Sequence, residues 1–339
     1  MSGKVSFDGA PETGTINFSV GQPSADLLPL GLLARAATRF FADAEPLELN
    51  YGQRQGDPRF RAALAAFLEG ASGTPVDPDS LMLTGGISQA LDFVCGLLAR
   101  PGDVAIVEEP SYPYSFQIFR DHSLEVVGVP VDGRGMDVVQ FERLLATRKP
   151  RLVYTIPSFH NPTGQVMDRA RRERLVALSR EHGFVILADE VYQLLYYGDP
   201  PPPSFGTLAG RGNVLALGTF SKILAPALRL GWIQGTPAVM KTLLASGALV
   251  SGGNFNHFTS HVVRQLMETG ELAPFVAELR ARYTERAGAM DAALRKQLSG
   301  IARWSRPGGG YFFWLELPEG ADAKSLEAAA RAAGTGFLP

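Results

Sequence analysis

The chain has 339 residues, of which 45% are hydrophobic and 19% charged, an ordinary composition for a globular protein of about two domains. Its formal net charge is −2 and no basic block stands out, which disfavours a nucleic-acid partner. The single cysteine, Cys95, excludes an internal disulfide, and no metal site is predicted. Since the N-terminus lacks a signal-peptide core and no apolar run has membrane-spanning length, we expect a soluble, cytoplasmic protein.

Short apolar runs alternate with helical patterns through the middle of the chain. The runs that read as buried strands are 104–107, 152–156, 184–188 and 214–218. Residues 168–182 begin with an acidic residue and end before Gly183, a pattern typical of a helix. Continuous apolar strands separated by helices predict an α/β fold with a mostly parallel sheet covered on both faces. We assign residues 41–258 to this large three-layer α/β/α domain, and both ends, 1–40 and 259–339, to a small α+β domain.

A glycine turn marks the start of one predicted helix. The segment 83–91 reads as a strand end, a glycine turn and a helix start. Backbone N–H groups at a helix N-terminus are free and bind phosphate well. We therefore assign the amides and the hydroxyl around Gly86, Ile87 and Ser88 to a bound phosphate. A glycine turn alone is weak evidence, and the side chain that contacts the phosphate is left open.

Polar residues follow three of the predicted strands. Asn161 comes after the strand at 152–156, Asp189 ends the next strand, and residues 219–222 follow a third. Sheets of this kind bind ligands beyond the carboxyl ends of their strands, so we expect these residues in one site. Taken alone, the Asn-Pro-Thr-Gly run that begins at Asn161 also fits a simple turn, and Asp189 fits a helix N-cap.

Lys222 stands in the run Thr-Phe-Ser-Lys, and Pro226 and Arg229 come a few residues later. A lysine that is held in place forms a Schiff base with an aldehyde once it loses its proton. Thr219, Ser221 and Arg229 offer hydroxyl donors and a guanidinium fork, which suit a phosphate dianion. Pyridoxal 5'-phosphate carries both an aldehyde and a phosphate, so it is the cofactor that this run predicts. On its own, the run also fits a solvated surface lysine in a serine-rich turn.

This lysine run resembles that of the fold-type I pyridoxal-phosphate enzymes, specifically the class I/II aminotransferases of the 2-aminoadipate and aromatic type. The family run reads approximately Ser-Phe-Ser-Lys, then Pro-Gly, then Arg-hydrophobic-Gly, and this chain departs from it at Thr219 and Ala227. Six motifs follow the family order between Ile16 and Leu338. The resemblance implies an aspartate aminotransferase-like fold. It also implies an enzyme that moves an amino group between an L-amino acid and a 2-oxo acid by a ping-pong mechanism.

The remaining contacts with the cofactor are assigned around its ring. The carboxylate of Asp189 can pair with the protonated pyridine nitrogen, which lets the ring accept the electrons of a substrate carbanion. Tyr192, three residues on, can hydrogen-bond the phenolic oxygen of the ring. The resemblance implies that Asn161 donates to the same oxygen and that Tyr112, which also fits a core or turn position, stacks on the ring. Lys222, Asp189 and Tyr192 are the predicted catalytic residues.

The resemblance also implies a homodimer with shared active sites. In the family segment that Tyr51 matches, the tyrosine reaches the phosphate of the neighbouring subunit, and residues 254–260 are a second candidate crossing loop. Gly21 matches the N-terminal segment that lies over the substrate, and we predict that Gly21 and Asn161 contact the substrate. The family arginine that pairs with the substrate α-carboxylate has no counterpart before Pro339. We therefore expect an incomplete small domain or a different carboxylate site.

The same residues support other reactions of this cofactor, and a carbon–sulfur β-lyase is the main enzymatic alternative. A non-catalytic, effector-sensing domain is a second alternative, because transcription regulators use this fold, but no winged-helix module fits before Phe18. The substrate stays open at this point. Tyr112, Phe255 and Phe258 favour a large apolar or aromatic amino acid, while a dicarboxylate donor such as 2-aminoadipate fits equally well.

Overall fold

The computed structural model describes residues 16–339. Within that range the strands are β1 (Ile16–Asn17), β2 (Leu81–Thr84), β3 (Val104–Glu109), β4 (Glu125–Asp132), β5 (Gly135–Met136), β6 (Pro150–Thr155), β7 (Val185–Asp189), β8 (Val214–Thr219), β9 (Gly231–Gly235) and β10 (Thr335–Gly336). The α-helices are α1 (Leu30–Asp43), α2 (Pro58–Ser72), α3 (Ile87–Leu98), α4 (Pro113–Asp121), α5 (Val138–Leu145), α6 (Arg169–His182), α7 (Pro237–Leu244), α8 (Gly247–Gly252), α9 (His257–Glu268), α10 (Leu272–Leu298) and α11 (Ala323–Ala332).

One sheet carries most of these strands, in the order β2-β9-β8-β7-β6-β3-β4-β5. The pairs from β8 through β7, β6 and β3 to β4 are parallel. By contrast, β9 is antiparallel to both β2 and β8, and β5 is antiparallel to β4. The central strands are buried along almost their whole length, which is why they read as unbroken apolar runs. The predicted mostly parallel sheet is confirmed, and the antiparallel strands are an addition to it.

Helices cover both faces of this sheet. On one face, α3, α4 and α7 pack against the strands through Val94, Phe119 and Met240. On the other face, α5 and α6 pack through Phe141 and Leu175. Helices α1, α2, α9 and α10 complete that second layer over the β2 and β9 edge of the sheet. This is the three-layer α/β/α arrangement that the sequence predicts.

Local signals in the sequence fix the helix that precedes β7. Asp168 caps the N-terminus of α6 by accepting a hydrogen bond from the Arg171 amide, and Gly183 takes a left-handed conformation, with φ 79°, after its last turn.

In α3, Cys95 is fully buried, and burial raises the pKa of its thiol to about 12. Cys95 is therefore a packing residue.

The two ends of the described range meet in a second, two-stranded sheet. β1 pairs in parallel with β10, and Ile16 lies opposite Thr335. This pairing supports a small domain built from both ends, while its boundaries at residues 40 and 258 remain a prediction. Residues 1–15 of the predicted N-terminal arm lie outside the described residues. No helix between residues 16 and 339 is both long and apolar enough to cross a membrane.

Candidate active site

The predicted site residues lie at the C-terminal ends of the parallel strands of the large sheet or in the segments beside them. Asp189 is the last residue of β7, Thr219 is the last residue of β8, and Lys222 lies in the turn that follows. Asn161 is in the loop after β6, and Gly86 directly precedes α3. Because β6, β7 and β8 are parallel neighbours, the segments that follow them emerge on one side of the sheet.

The side chain of Lys222 is half-buried against the N-terminal segment. Its Nζ donates a hydrogen bond to the carbonyl oxygen of Gly21 at 2.8 Å and lies 5.6 Å from the centre of the Tyr311 ring. Burial lowers the pKa of this amine to about 8, while the charge of Asp189 opposes the shift and that of Arg229 reinforces it. The uncharged, nucleophilic form of the amine is therefore accessible at physiological pH.

Two neutral donors hold the carboxylate of Asp189, which is 4% exposed. The Tyr154 hydroxyl donates to Oδ2 at 2.8 Å, and the Val191 amide donates to Oδ1 at 3.2 Å. Burial raises the pKa of Asp189 to about 6, and the hydrogen bond from Tyr154 limits the rise. At neutral pH the carboxylate is therefore charged. The sequence analysis missed Tyr154 because it lies inside an apolar run, where a tyrosine reads as packing.

The N-terminus of α3 and the guanidinium of Arg229 form a cradle that suits an anion. Gly86 precedes the helix with φ 89°, and a Cβ at this position would lie 3.1 Å from Nη2 of Arg229. Both the backbone conformation and the close approach favour glycine here. In the turn after β8, the Thr219 hydroxyl donates to Ser221 Oγ at 2.9 Å. Free helix amides, a guanidinium and hydroxyl groups are the partners that a phosphate prefers.

Three further residues are predicted to bind the phosphate. Ile87 and Ser88 begin α3, so their amides belong to its first turn. Tyr51 lies in the loop before α2 and is 83% exposed, unlike the buried residues of the pocket. An exposed tyrosine is what a contact with a neighbouring subunit requires, and that contact stays a prediction.

Two tyrosines predicted to contact the ring lie within the electrostatic reach of Asp189. Tyr112 precedes α4 and is half-buried, and burial raises its pKa, with the Asp189 charge acting in the same direction. Tyr192 is 2% exposed, and its ring centre lies 5.4 Å from that of Tyr311 and 6.2 Å from that of Phe312. The structure therefore brings both tyrosines to the pocket, and it adds Tyr311, which the sequence analysis did not single out.

A buried cluster supports the loop that carries Asn161. Glu108, at 1% exposure in β3, accepts hydrogen bonds from the Thr155 hydroxyl and the Ile156 amide, both at 2.8 Å. His160 Nε2 lies 3.1 Å from Glu108 Oε2, although the two are not aligned as a hydrogen bond. Asn161 follows this anchored histidine and is half-buried. The acid within an apolar strand is the sequence signal that could have identified this cluster.

Replacing Glu108 with alanine should lower the free energy of unfolding by about 3 kcal/mol, because two buried donors lose their acceptor. Urea denaturation of the variant and the wild type measures the difference. The control is Glu109→Ala at the exposed neighbour, for which we expect a change within about 0.5 kcal/mol. Equal stability of Glu108→Ala and the wild type would show that the cluster does not anchor the loop.

Comparison with known proteins finds one enzyme family over nearly the whole chain. The family model for aminotransferase class I and II matches residues 13–333. Aromatic-amino-acid aminotransferase 1 of Thermococcus litoralis is 32% identical over 329 residues, which cover 96% of this chain and 79% of that protein. The 2-aminoadipate transaminase of Thermus thermophilus is 33% identical over 331 residues, which cover 96% of this chain and 81% of that protein.

Solved structures show the same similarity. The kynurenine aminotransferase of Pyrococcus horikoshii, in complex with PMP, matches with a TM-score of 0.89 and 30% identity. That match covers 96% of this chain and 82% of the other. The resemblance seen in the lysine run and the transferase activity that it implies are both confirmed. The chain belongs to the class I and II aminotransferases, and its reaction is transamination.

Proposed function

We propose that this aminotransferase holds pyridoxal 5'-phosphate through Lys222 and moves an amino group from an L-amino acid to a 2-oxo acid in two half-reactions. One observation carries the proposal: the half-buried amine of Lys222 is held by the Gly21 carbonyl and lies within the electrostatic reach of the buried Asp189 carboxylate. When bound, the cofactor supplies an aldehyde and a ring that takes up the electrons released at the substrate α-carbon.

The residues of the pocket fit the parts of this cofactor. The amine of Lys222 suits the aldehyde, and the charged carboxylate of Asp189 suits a protonated ring nitrogen. The cradle at Gly86 and Arg229 suits the phosphate, and a side chain at Gly86 would crowd the guanidinium. The PMP complex of the similar Pyrococcus horikoshii structure supports the same cofactor.

We assign the remaining polar and aromatic residues to the ring and the phosphate. Asn161 and Tyr192 would bind the phenolic oxygen, and Tyr112 would stack on the ring. The burial of Tyr192 and the effect of Asp189 on the pKa of both tyrosines support these assignments. The hydroxyl of Ser221, which directly precedes Lys222, would donate a hydrogen bond to the phosphate.

Lys222 is the proton carrier in this proposal. With cofactor and substrate bound, the uncharged Nζ would act as the general base that takes the proton from the substrate Cα and holds it for the return transfer. The Gly21 carbonyl and the Tyr311 ring keep the amine at this point of the pocket. The neutral Tyr154 hydroxyl donates a hydrogen bond to Asp189, which stabilises the charged carboxylate without cancelling its charge.

The first test is a single turnover without an acceptor. The protein, loaded with pyridoxal 5'-phosphate, is mixed separately with aromatic amino acids, kynurenine and 2-aminoadipate, the substrates named for similar proteins. We expect loss of the visible absorption band and one equivalent of 2-oxo acid per site from the best donor. A band that no amino acid changes would contradict the proposal, and sustained release of pyruvate and ammonia from cysteine would establish the β-lyase instead.

The rate at which Lys222 condenses with added pyridoxal 5'-phosphate should rise with pH and level off above about pH 8. Below its pKa the amine is protonated and cannot attack the aldehyde, whereas above it the amine is uncharged. Stopped-flow absorbance of the cofactor-free protein measures the rate. Free N-acetyl-lysine is the control, and its rate should keep rising to about pH 10. A protein profile that followed the free lysine would contradict the lowered pKa.

We also propose that the enzyme is a homodimer in which Tyr51 completes the site of the partner. Large apolar side chains are exposed near Tyr51 in the chain, with Phe41, Leu47 and Leu49 at 60%, 78% and 61% exposure. Exposed apolar surface is typical of interaction sites, which supports a partner on this side of the chain. Because a twofold interface repeats every contact, Tyr51 of each chain would reach into the active site of the other chain.

Mixing two defective variants should restore activity if the sites are shared. The Lys222→Ala chain lacks the lysine, and the Tyr51→Ala chain lacks the contact with its partner's phosphate. A mixed dimer then has one doubly defective site and one intact site, so random exchange of subunits gives about a quarter of wild-type activity. Turnover at limiting cofactor measures the recovery. A Lys222→Ala chain mixed with a chain carrying both substitutions is the control, and no recovery in the first mixture would refute shared sites.

A further inference from the structure

Tyr154 and Asp189 form a buried hydrogen bond between two neighbouring strands. Tyr154 is fully buried in β6, and its hydroxyl lies 2.8 Å from Oδ2 of Asp189 in β7. In the parallel register Tyr154 lies opposite Leu187, two residues before Asp189, and a side chain as long as tyrosine spans that offset. The Phe119 ring packs edge-on against it, with 5.7 Å between the ring centres. The hydroxyl is therefore held in place by packing.

The hydrogen bond gives Asp189 a partner without giving it a counter-ion. Within residues 16–339, its donors are the Tyr154 hydroxyl and the Val191 amide, and both are neutral. Burial raises the pKa of Tyr154 well above its usual value, so the hydroxyl stays protonated and remains a donor. A neutral donor stabilises the carboxylate without cancelling its charge, which leaves that charge for a ligand.

We propose that Tyr154 is a positioning residue, whose hydroxyl orients the Asp189 carboxylate and keeps it charged for the protonated ring nitrogen of the cofactor. The inference rests on the proposed function, because it needs pyridoxal 5'-phosphate in this pocket. Without the hydroxyl, the buried carboxylate takes up a proton more readily, since burial already disfavours its charge. A neutral Asp189 no longer holds the proton on the ring nitrogen.

The test is the Tyr154→Phe variant, which keeps the ring and removes the hydroxyl. We expect its dissociation constant for pyridoxal 5'-phosphate at neutral pH to rise about tenfold or more, the effect of losing a hydrogen bond to a charged group. The acidic limb of the pH dependence of binding should also move to higher pH, because Asp189 would be protonated sooner. Equilibrium dialysis at a series of pH values measures both quantities.

Three controls separate positioning from structural damage. In Tyr197→Phe the lost hydroxyl donates to the Gly310 carbonyl, so we expect wild-type binding of the cofactor. An analogue with carbon in place of the ring nitrogen offers Asp189 no proton, so wild type and Tyr154→Phe should bind it equally. In an Asp189→Asn background, Tyr154→Phe should add little, because the two residues act through one interaction.

The outcomes distinguish the inference from the proposed function. An unchanged dissociation constant and pH dependence in Tyr154→Phe, beside a wild type that binds the cofactor, would overturn the inference alone. An equal loss of affinity for the nitrogen-free analogue would also overturn it, because the hydroxyl would then act on packing. A wild type that does not bind pyridoxal 5'-phosphate would overturn the proposed function, and the inference with it.

Discussion

Replacing Lys222 with alanine should reduce turnover by about 10³-fold or more with the best substrate pair. The variant has no amine to hold the cofactor aldehyde and none to move the α-proton, so both half-reactions lose the group that carries them. Non-covalent binding of the cofactor should persist, because Asp189 and the cradle at Gly86 and Arg229 are unchanged. Steady-state kinetics measure the first effect, and the absorption spectrum with added cofactor measures the second.

The control for this variant is another lysine. Lys241 is exposed on α7, and Lys241→Ala should keep wild-type turnover and the wild-type spectrum. Near-normal turnover in Lys222→Ala would remove this lysine from the mechanism. Loss of all cofactor binding in Lys222→Ala would show that the substitution damages the pocket, and it would contradict the separate roles given to the lysine and the cradle.

Replacing Asp189 with alanine should lower kcat by about 10²- to 10³-fold and weaken cofactor binding, the cost of removing one partner from a buried charge pair. Without the carboxylate, no charged oxygen holds the proton on the ring nitrogen, and the ring accepts electrons less readily. The substitution also removes the carboxylate that accepts the hydrogen bond of the buried Tyr154 hydroxyl. The kcat of the cofactor-saturated variant and its dissociation constant for the cofactor measure the two effects.

The adjacent acid is the matched control. Glu190 is half-buried beside Asp189, but its carboxylate accepts hydrogen bonds from the Ser204 hydroxyl and the Phe205 amide in another part of the structure. In glutamine the amide oxygen can accept from the Phe205 amide and the NH2 group can donate to the Ser204 oxygen, so Glu190→Gln should turn over like the wild type. Equal losses in both variants would point to a general effect of burial, and wild-type kcat in Asp189→Ala would exclude the proposed pairing.

Much of the large domain could be predicted from the sequence because its signals are local. Strands buried on both faces must be apolar throughout, and the runs that predict β3, β6, β7 and β8 show this directly. The lysine, the hydroxyls and the guanidinium fork of the cofactor motif lie within eleven residues, from Thr219 to Arg229. That short run, together with the other motifs in the family order, identified the family, while the roles of its individual residues remain predictions.

The contacts around the catalytic groups come instead from residues far apart in the chain. Lys222 donates to Gly21, 201 residues away, and Tyr154 reaches Asp189 across 35 residues. The antiparallel strand β9 lies between β2 and β8, an order that no local pattern encodes. By itself the sequence determined the family, the buried strands and the candidate lysine, because composition and short-range spacing carry that information. Only the tertiary structure decided which neutral donor holds the carboxylate of Asp189, because that depends on strand order and register, and which carbonyl holds the amine of Lys222, because that depends on how the N-terminal segment packs over the turn after β8.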